Sequence, residues 1–302
     1  MNQRFNLVLG MLVVLAGCES SSSESIRACV GAITAGEVEG FGTEIPRRTE
    51  GIVFDAEGNL FVSAISTQAD DQLLSIDVDG TPRVVAEATS ILGLASHANG
   101  ILAAAIETGE LLLIEPADGT IEVIADDLGA PNFVVTTPWD TMLVSDDTVG
   151  ENTIDEVTWD GRVSTWVQGV PTPNGMVFSP DQRMLYVAST FEEPGLWRVP
   201  VSEDGQAGVP EKWVAFELTT PDGVAIDGEG NVYVALNTTG EIARVDPEGN
   251  ATIVAEGVDW VASLAFGRGD FDPCSIYATS LFDTQLDTQL WRVRLGTLGV
   301  EN

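Results

Sequence analysis

Four side chains that carry a metal-binding oxygen stand at the same place in a repeating segment. Glu50 opens "EGIVFDAEGNLFVSA", Asn132 opens "NFVVTTPWDTMLVSD", Asn174 opens "NGMVFSPDQRMLYVAS" and Asp222 opens "DGVAIDGEGNVYVAL". Two further copies put Leu92 and Ala262 at that place, and the six starts are 42, 40, 42, 48 and 40 residues apart. Taken singly, Asn-Gly or Asp-Gly is a turn dipeptide and needs no further reading. In phase, the four are a different matter. Two carboxylates brought to one point repel each other and lose hydration, at a cost of several kcal/mol unless a cation compensates. Two carboxylates and two amide carbonyls form an all-oxygen shell of charge −2 that suits a hard divalent ion, with water completing six or seven ligands. Calcium fits this set and another divalent cation is possible. Zinc would want His or Cys, and neither stands at these positions. Asp222 could also act as general base or nucleophile. Bound to a cation, its pKa should fall and leave it ionised at neutral pH.

Convergence of four such residues requires an architecture that repeats about an axis. Each copy reads as a short apolar strand, a polar turn such as "DAEGN" or "SPDQR", a second strand, a loop, and a third strand such as "LLSIDVDG" or "IARVDPEG", often with a fourth. Four short strands per ~40–45 residues is the pattern of a β-propeller blade. The expected fold is therefore all-β, a six-bladed propeller with blades starting near 50, 92, 132, 174, 222 and 262. The last copy shows three strands, and "ACVGAITAG" before Glu50 can supply the fourth and close the ring. If the first strand of each blade lines the channel and starts at its mouth, the loops after the second strands return there: 66–72, 106–109, 146–152, 190–195, 237–240 and 281–289. Asp146, Asp147 and Phe191 on those loops, and Phe133 beside Asn132, become candidates for a substrate wall. The "DAEG", "SPDQ" and "DGEG" turns fall at the opposite rim and read as structural. His97, the sole histidine, falls there too, so no Ser-His-Asp arrangement is available and a serine hydrolase is excluded.

The 302 residues carry 13 Lys and Arg against 47 Asp and Glu, a formal charge of −34. Such a surface repels nucleic acid phosphates and anionic lipid headgroups, so neither is a partner. The N-terminus "MNQRFNLVLGMLVVLAGCESSSSES" has one early Arg, an apolar stretch too short to span a bilayer and then a Ser-rich run. "LAGC" resembles the lipobox of bacterial lipoproteins. That resemblance implies a signal peptide over 1–17, lipidation of Cys18, a tether over 18–27 and a mature domain over 28–302. The alternative is an ordinary secretory signal cut nearby. Either way the chain is exported. The lipoprotein reading places it on the outer membrane, its periplasmic face or the cell surface, touching membrane only through the lipid, and a monomer is expected. Cys29 and Cys274 remain in the domain. In an oxidising compartment they could form a disulfide that constrains a long loop by roughly 4–5 kcal/mol in the chain-entropy picture, or stay as two buried thiols.

"TEGIVFDAEGNLFVS", "PNF", "PNGMVFSPDQRMLYVAS" and "PDGVAIDGEGNVYVA" resemble the regucalcin/gluconolactonase (senescence marker protein-like) family of six-bladed propellers, which is related to diisopropylfluorophosphatase. The resemblance covers 50–299. It implies that a Glu, one or two Asn and an Asp hold a catalytic divalent cation, usually calcium, and by motif position these are Glu50, Asn132, Asn174 and Asp222. Two departures stand out. The family carries an Arg two residues before the blade-3 Asn and an Asp directly after it; this chain has Ala130 and Phe133. The implied activity is calcium-dependent hydrolysis of a small ester, a lactone foremost. The alternative is a non-catalytic, metal-stabilised propeller acting as a surface-anchored binding or assembly module.

Overall fold

The computed structural model describes Cys29 and residues 36–43, 45–148, 150, 152–281 and 290–300. Cys18 and the 1–27 segment lie outside the described residues. No helix among those described is long and apolar enough to cross a membrane.

Six four-stranded antiparallel sheets form the six blades. Blade 1 runs β2 (Arg48–Phe54), β3 (Leu60–Ile65), β4 (Asp71–Ile76), β5 (Pro82–Ala88), and blade 2 runs β6 (Ile91–His97), β7 (Gly100–Ala105), β8 (Glu110–Ile114), β9 (Ile121–Ala125). Blade 3 is β10 (Pro131–Thr136) to β13 (Val163–Gln168), with β11 (Met142–Asp146) and β12 (Thr153–Val157) between. Blade 4 is β14 (Pro173–Phe178), β15 (Met184–Ser189), β16 (Gly195–Pro200) and β17 (Glu211–Ala215). Blade 5 is β18 (Pro221–Ile226), β19 (Val232–Leu236), β20 (Glu241–Val245) and β21 (Ala251–Glu256). Blade 6 contains β22 (Val261–Phe266), β23 (Ser275–Ser280) and β24 (Leu290–Arg294), completed by β1 (Glu37–Gly40). The first strand of each copy is the innermost.

The apolar residues of these strands are buried on both sheet faces because each blade packs on two neighbours. Six hydrophobic clusters result, each shared by two adjacent blades. Phe54, Leu60 and Val62 meet Phe271 and Tyr277 across the blade 1–6 seam, for example, and Leu143 and Ile154 meet Met176 and Leu185 across the blade 3–4 seam. Burial of this kind is the main stabilising term, and it explains why the strands read as near-continuous apolar runs.

Ring closure comes from the N-terminal side as expected, with a shifted strand. "ACVGAITAG" ends at Gly36, whose φ of 85° turns the chain, and pairing with β24 starts at Glu37. Charge and alternation set that register. Val38 faces the blade 5–6 core, while Glu39 sits opposite Arg292 and its carboxylate takes bonds from Arg292 Nε (2.8 Å) and Arg294 Nη2 (3.1 Å). Cys29 and Cys274 are joined, with Cα atoms 5.5 Å apart. Cys274 lies in the β22–β23 turn, at the rim away from the mouth, and its carbonyl accepts from Leu295 and Gly296 N–H. Residues 297–300 also strap that rim: Val300 N–H donates to Ile226 and Gly228 N–H to Leu298.

Candidate metal centre and active site

Every innermost strand breaks its ladder at the same point. Register shifts fall between Thr49 and Ile52, Ile91 and Leu94, Pro131 and Phe133, Pro173 and Met176, Pro221 and Val224, and Val261 and Leu264. Glu50, Leu92, Asn132, Asn174, Asp222 and Ala262 each sit inside one of these bulges. A bulge removes a residue from regular pairing and re-aims its side chain. The Asn-Gly and Asp-Gly dipeptides are thus strand bulges, not turns.

In blades 1, 3 and 6 the backbone groups freed by the bulges are taken up by hydroxyls on the second strands. Ser63 Oγ accepts from Gly51 N–H (2.7 Å) and donates to the Leu92 carbonyl of the next blade (2.8 Å). Ser145 Oγ accepts from Phe133 N–H, and Thr279 Oγ1 accepts from Ser263 N–H while donating to the Glu50 carbonyl. The glycine after the bulged residue admits the neighbouring blade. A Cβ on Gly93, Gly175 or Gly223 would lie 2.5–2.7 Å from the carbonyl oxygen of Asn132, Asp222 or Ala262. Backbone contact this close leaves no room for any larger residue.

Glu50, Asn132, Asn174 and Asp222 are all buried, with 3%, 6%, 5% and 6% exposure. Glu50 Oε2, Asn132 Oδ1, Asn174 Oδ1 and Asp222 Oδ1 are each buried with no hydrogen-bond partner. Buried acceptors left unpaired cost on the order of 1–3 kcal/mol each, and more when charged. One such oxygen from each of four residues on four blades is a donor set that fits a hard divalent cation. The electrostatics agree. Burial drives the Glu50 carboxyl well above the ordinary range, and the charges of Asp222 and Asp147 add to this. Burial likewise pushes Asp222 up to about 8, with Asp147 adding and the Asn174 amide opposing. The direction is opposite to that expected for a cation-bound carboxylate. The protein alone therefore disfavours the two charges, and a cation is what would hold both ionised.

Asp147 stands beside this ring. Its Oδ2 accepts from Asn132 Nδ2 (3.3 Å), its Oδ1 is buried without a partner, and burial raises its pKa to about 6. Among the described residues no three His, Cys, Asp or Glu side chains cluster as a metal site, so the candidate ligand set is two carboxylates and two amides. Phe191 is 58% exposed on the β15–β16 loop, which is held by Thr172 Oγ1 accepting from the N–H groups of Phe191 and Glu192.

Two expected wall residues lie elsewhere. Phe133 is buried in the blade 3–4 core with Met176, because the ladder resumes at Phe133 and turns its ring between the blades. Asp146 is buried as a loop brace, its Oδ1 accepting from Ala130 N–H (3.2 Å) and Thr148 N–H (2.8 Å). His97 is at the far rim, where its ring packs at a tilt against Trp159 with centroids 4.4 Å apart. A cavity of about 520 Å³ at that rim is lined by Asp55, Arg83, His97 and Glu115, and none of its lining residues bears an unpaired buried oxygen. Asn237, placed by the sequence only at the start of the mouth loop 237–240, also stands beside the ring. It is buried, and its Nδ2 faces Asp222 Oδ2 (3.4 Å) and the carbonyls of Trp260 (3.2 Å) and Val261 (3.0 Å).

Residues 48–281 match the SMP-30/Gluconolactonase/LRE-like region, the greater part of the chain. The chain belongs to that family. Two curated relatives align over shorter stretches. The 6-deoxy-6-sulfogluconolactonase of Pseudomonas putida is 31% identical over 123 residues, 39% of this chain and 41% of the relative. The pentonolactonase XacC of Haloferax volcanii is 32% identical over 125 residues, 40% and 42%. The matched segments thus span about two fifths of each relative's length. Among solved structures, a calcium-binding regucalcin from Agrobacterium tumefaciens superposes with a TM-score of 0.70 at 21% identity, covering 87% of this chain and 97% of that one. At that identity the likeness speaks for the shared fold.

Proposed function

We propose that this family member is a calcium-dependent hydrolase of a small ester, with a lactone as its substrate. The observation that carries the reading is the set of four unpaired buried oxygens, on Glu50, Asn132, Asn174 and Asp222, presented by four blades. The lactonase names of both curated relatives support the substrate class. When bound, the cation would act as a Lewis acid toward the substrate carbonyl oxygen. Glu50 and Asp222 would balance its charge, and the two amides would fill out the ligand set without adding charge. Asp222 would take a proton from the attacking water as the new C–O bond forms, then return it to the ring oxygen as the lactone C–O bond breaks. Water and lactone are consumed, one hydroxy acid is formed, and Asp222 ends as it began. Asp147 Oδ1 would accept a hydrogen bond from a substrate hydroxyl, and Phe191 would cover an apolar face at the mouth.

Lactones, aryl esters and phosphotriesters, each assayed with calcium and with chelator, test the proposal. Lactone opening that stops on chelation and returns with calcium is the expected result. No turnover of any of them, with calcium still bound, would favour the non-catalytic binding module. Export with lipidation at Cys18 belongs to the same proposal and is supported by "LAGC"; labelled palmitate should enter the wild-type chain but not Cys18→Ser.

A further inference from the structure

Blades 3 and 5 carry the same pair of side chains in exchanged places. On blade 3 the ring residue is an amide, Asn132, and the residue 15 positions on is a carboxylate, Asp147. On blade 5 the ring residue is a carboxylate, Asp222, and the residue 15 positions on is an amide, Asn237. Each pair is joined by a single N–H to carboxylate bond, of 3.3 and 3.4 Å, and each ring residue keeps one buried oxygen unpartnered. Both partners stand immediately after the second strand of their blade, where the chain returns to the mouth.

We propose that Asp147 and Asn237 are positioning residues that turn the free oxygens of Asn132 and Asp222 toward the channel axis. This rests on the cation-binding reading of the ring. The chemistry of each partner follows from its ligand. A carboxamide can flip and present its NH₂ to a cation, which is repulsive; an acceptor-only partner such as Asp147 fixes the NH₂ outward and the oxygen inward. A carboxylate can swing or chelate through both oxygens; a donor on one of them leaves the other to face the axis. Asn237 is the more rigid of the two, because the carbonyls of Trp260 and Val261, at the entry of β22, hold its amide from the next blade. It therefore fixes a blade-5 ligand relative to blade 6. Outer partners of this type typically change metal affinity by about 10–100-fold when removed.

The test is calcium affinity by titration calorimetry on the intact mature protein, with chelated-state melting measured alongside. Asn237→Ala removes a donor without changing charge, so calcium should bind about 10–100-fold more weakly while the chelated protein melts nearly as before. The exchange Asn132→Asp/Asp147→Asn gives blade 3 the arrangement of blade 5 at constant charge. Its calcium affinity should stay within about threefold of wild type, whereas Asn132→Asp or Asp147→Asn alone should depart further, a non-additivity expected only of interacting side chains. Wild-type affinity in Asn237→Ala, or additive effects in the blade-3 cycle, would overturn the positioning role while leaving the ring intact. If Asn237→Ala does not fold, the blade-3 cycle decides alone. A wild-type protein that binds no divalent ion would remove the ring reading itself, and this inference with it.

Discussion

At Asp222, charge and basicity can be removed while shape is kept. Asp222→Asn should weaken calcium binding, and raising calcium should restore occupancy without restoring turnover. At saturation kcat should remain at least about 100-fold below wild type, the usual scale for loss of a general base. Recovery of wild-type kcat at high calcium would limit Asp222 to holding metal. The ring carboxyls also predict a pH dependence. Glu50 and Asp222 have folded-state pKa values raised above the ordinary carboxylate range, Asp222 to about 8, so the folded chelated protein holds protons that the unfolded chain releases. Its stability is fully present below the unfolded values near 4 and should fall as pH rises toward 8. Melting temperature against pH in chelator should show that decline, and saturating calcium should flatten it. The four ring residues were legible in the sequence because they recur in phase. Asn237 was not, since its role appears only once a loop folds back on its own blade. Phe133 was misplaced because a bulge changes side-chain parity, and no residue type announces a bulge.

The bulged inner strand is the element that makes the site, and its glycines are the sensitive points. A Cβ on Gly175 would lie 2.5 Å from the Asp222 carbonyl oxygen and 2.7 Å from Gly223 Cα. Gly175→Ala should therefore destabilise by about 1–3 kcal/mol in urea unfolding and weaken calcium binding, because the blade 4–5 seam must open between the candidate ligands Asn174 and Asp222. Gly228→Ala is the control: a Cβ there meets nothing within 4 Å, and its effect should stay within about 0.5 kcal/mol. Equal effects at the two positions would show that seam contact does not govern the ring. At this scale the strands and their order were readable from apolar runs and polar turns. The start of β1 was not, because the apolar "ACVGAITAG" looked like the strand. The pairing is set instead by Glu39 between Arg292 and Arg294, a relation over 253 and 255 residues of chain.

For the molecule as a whole, the 40–48-residue period showed six blades, and a count of strand directions separated the two rims. Seam packing needed coordinates, because it depends on residues far apart in the chain; the Cys29–Cys274 pair was legible, since no other cysteine remains in the domain, and the structure decided for a bridge over two separate thiols. Two features stand at opposite ends of the channel: the candidate ligand set near the mouth and the Cys29–Cys274 bridge at the far rim. Chelation and reduction should each lower the melting temperature. Being remote, their free-energy effects should add within about 0.5 kcal/mol; strong coupling would mean that closure and metal binding share one cooperative unit. The bridge has a second consequence. It fixes the point at which the N-terminal segment meets the domain, and that point is the rim opposite the opening. Anything that holds the chain by its N-terminus, including the lipid proposed at Cys18, grips the propeller from behind.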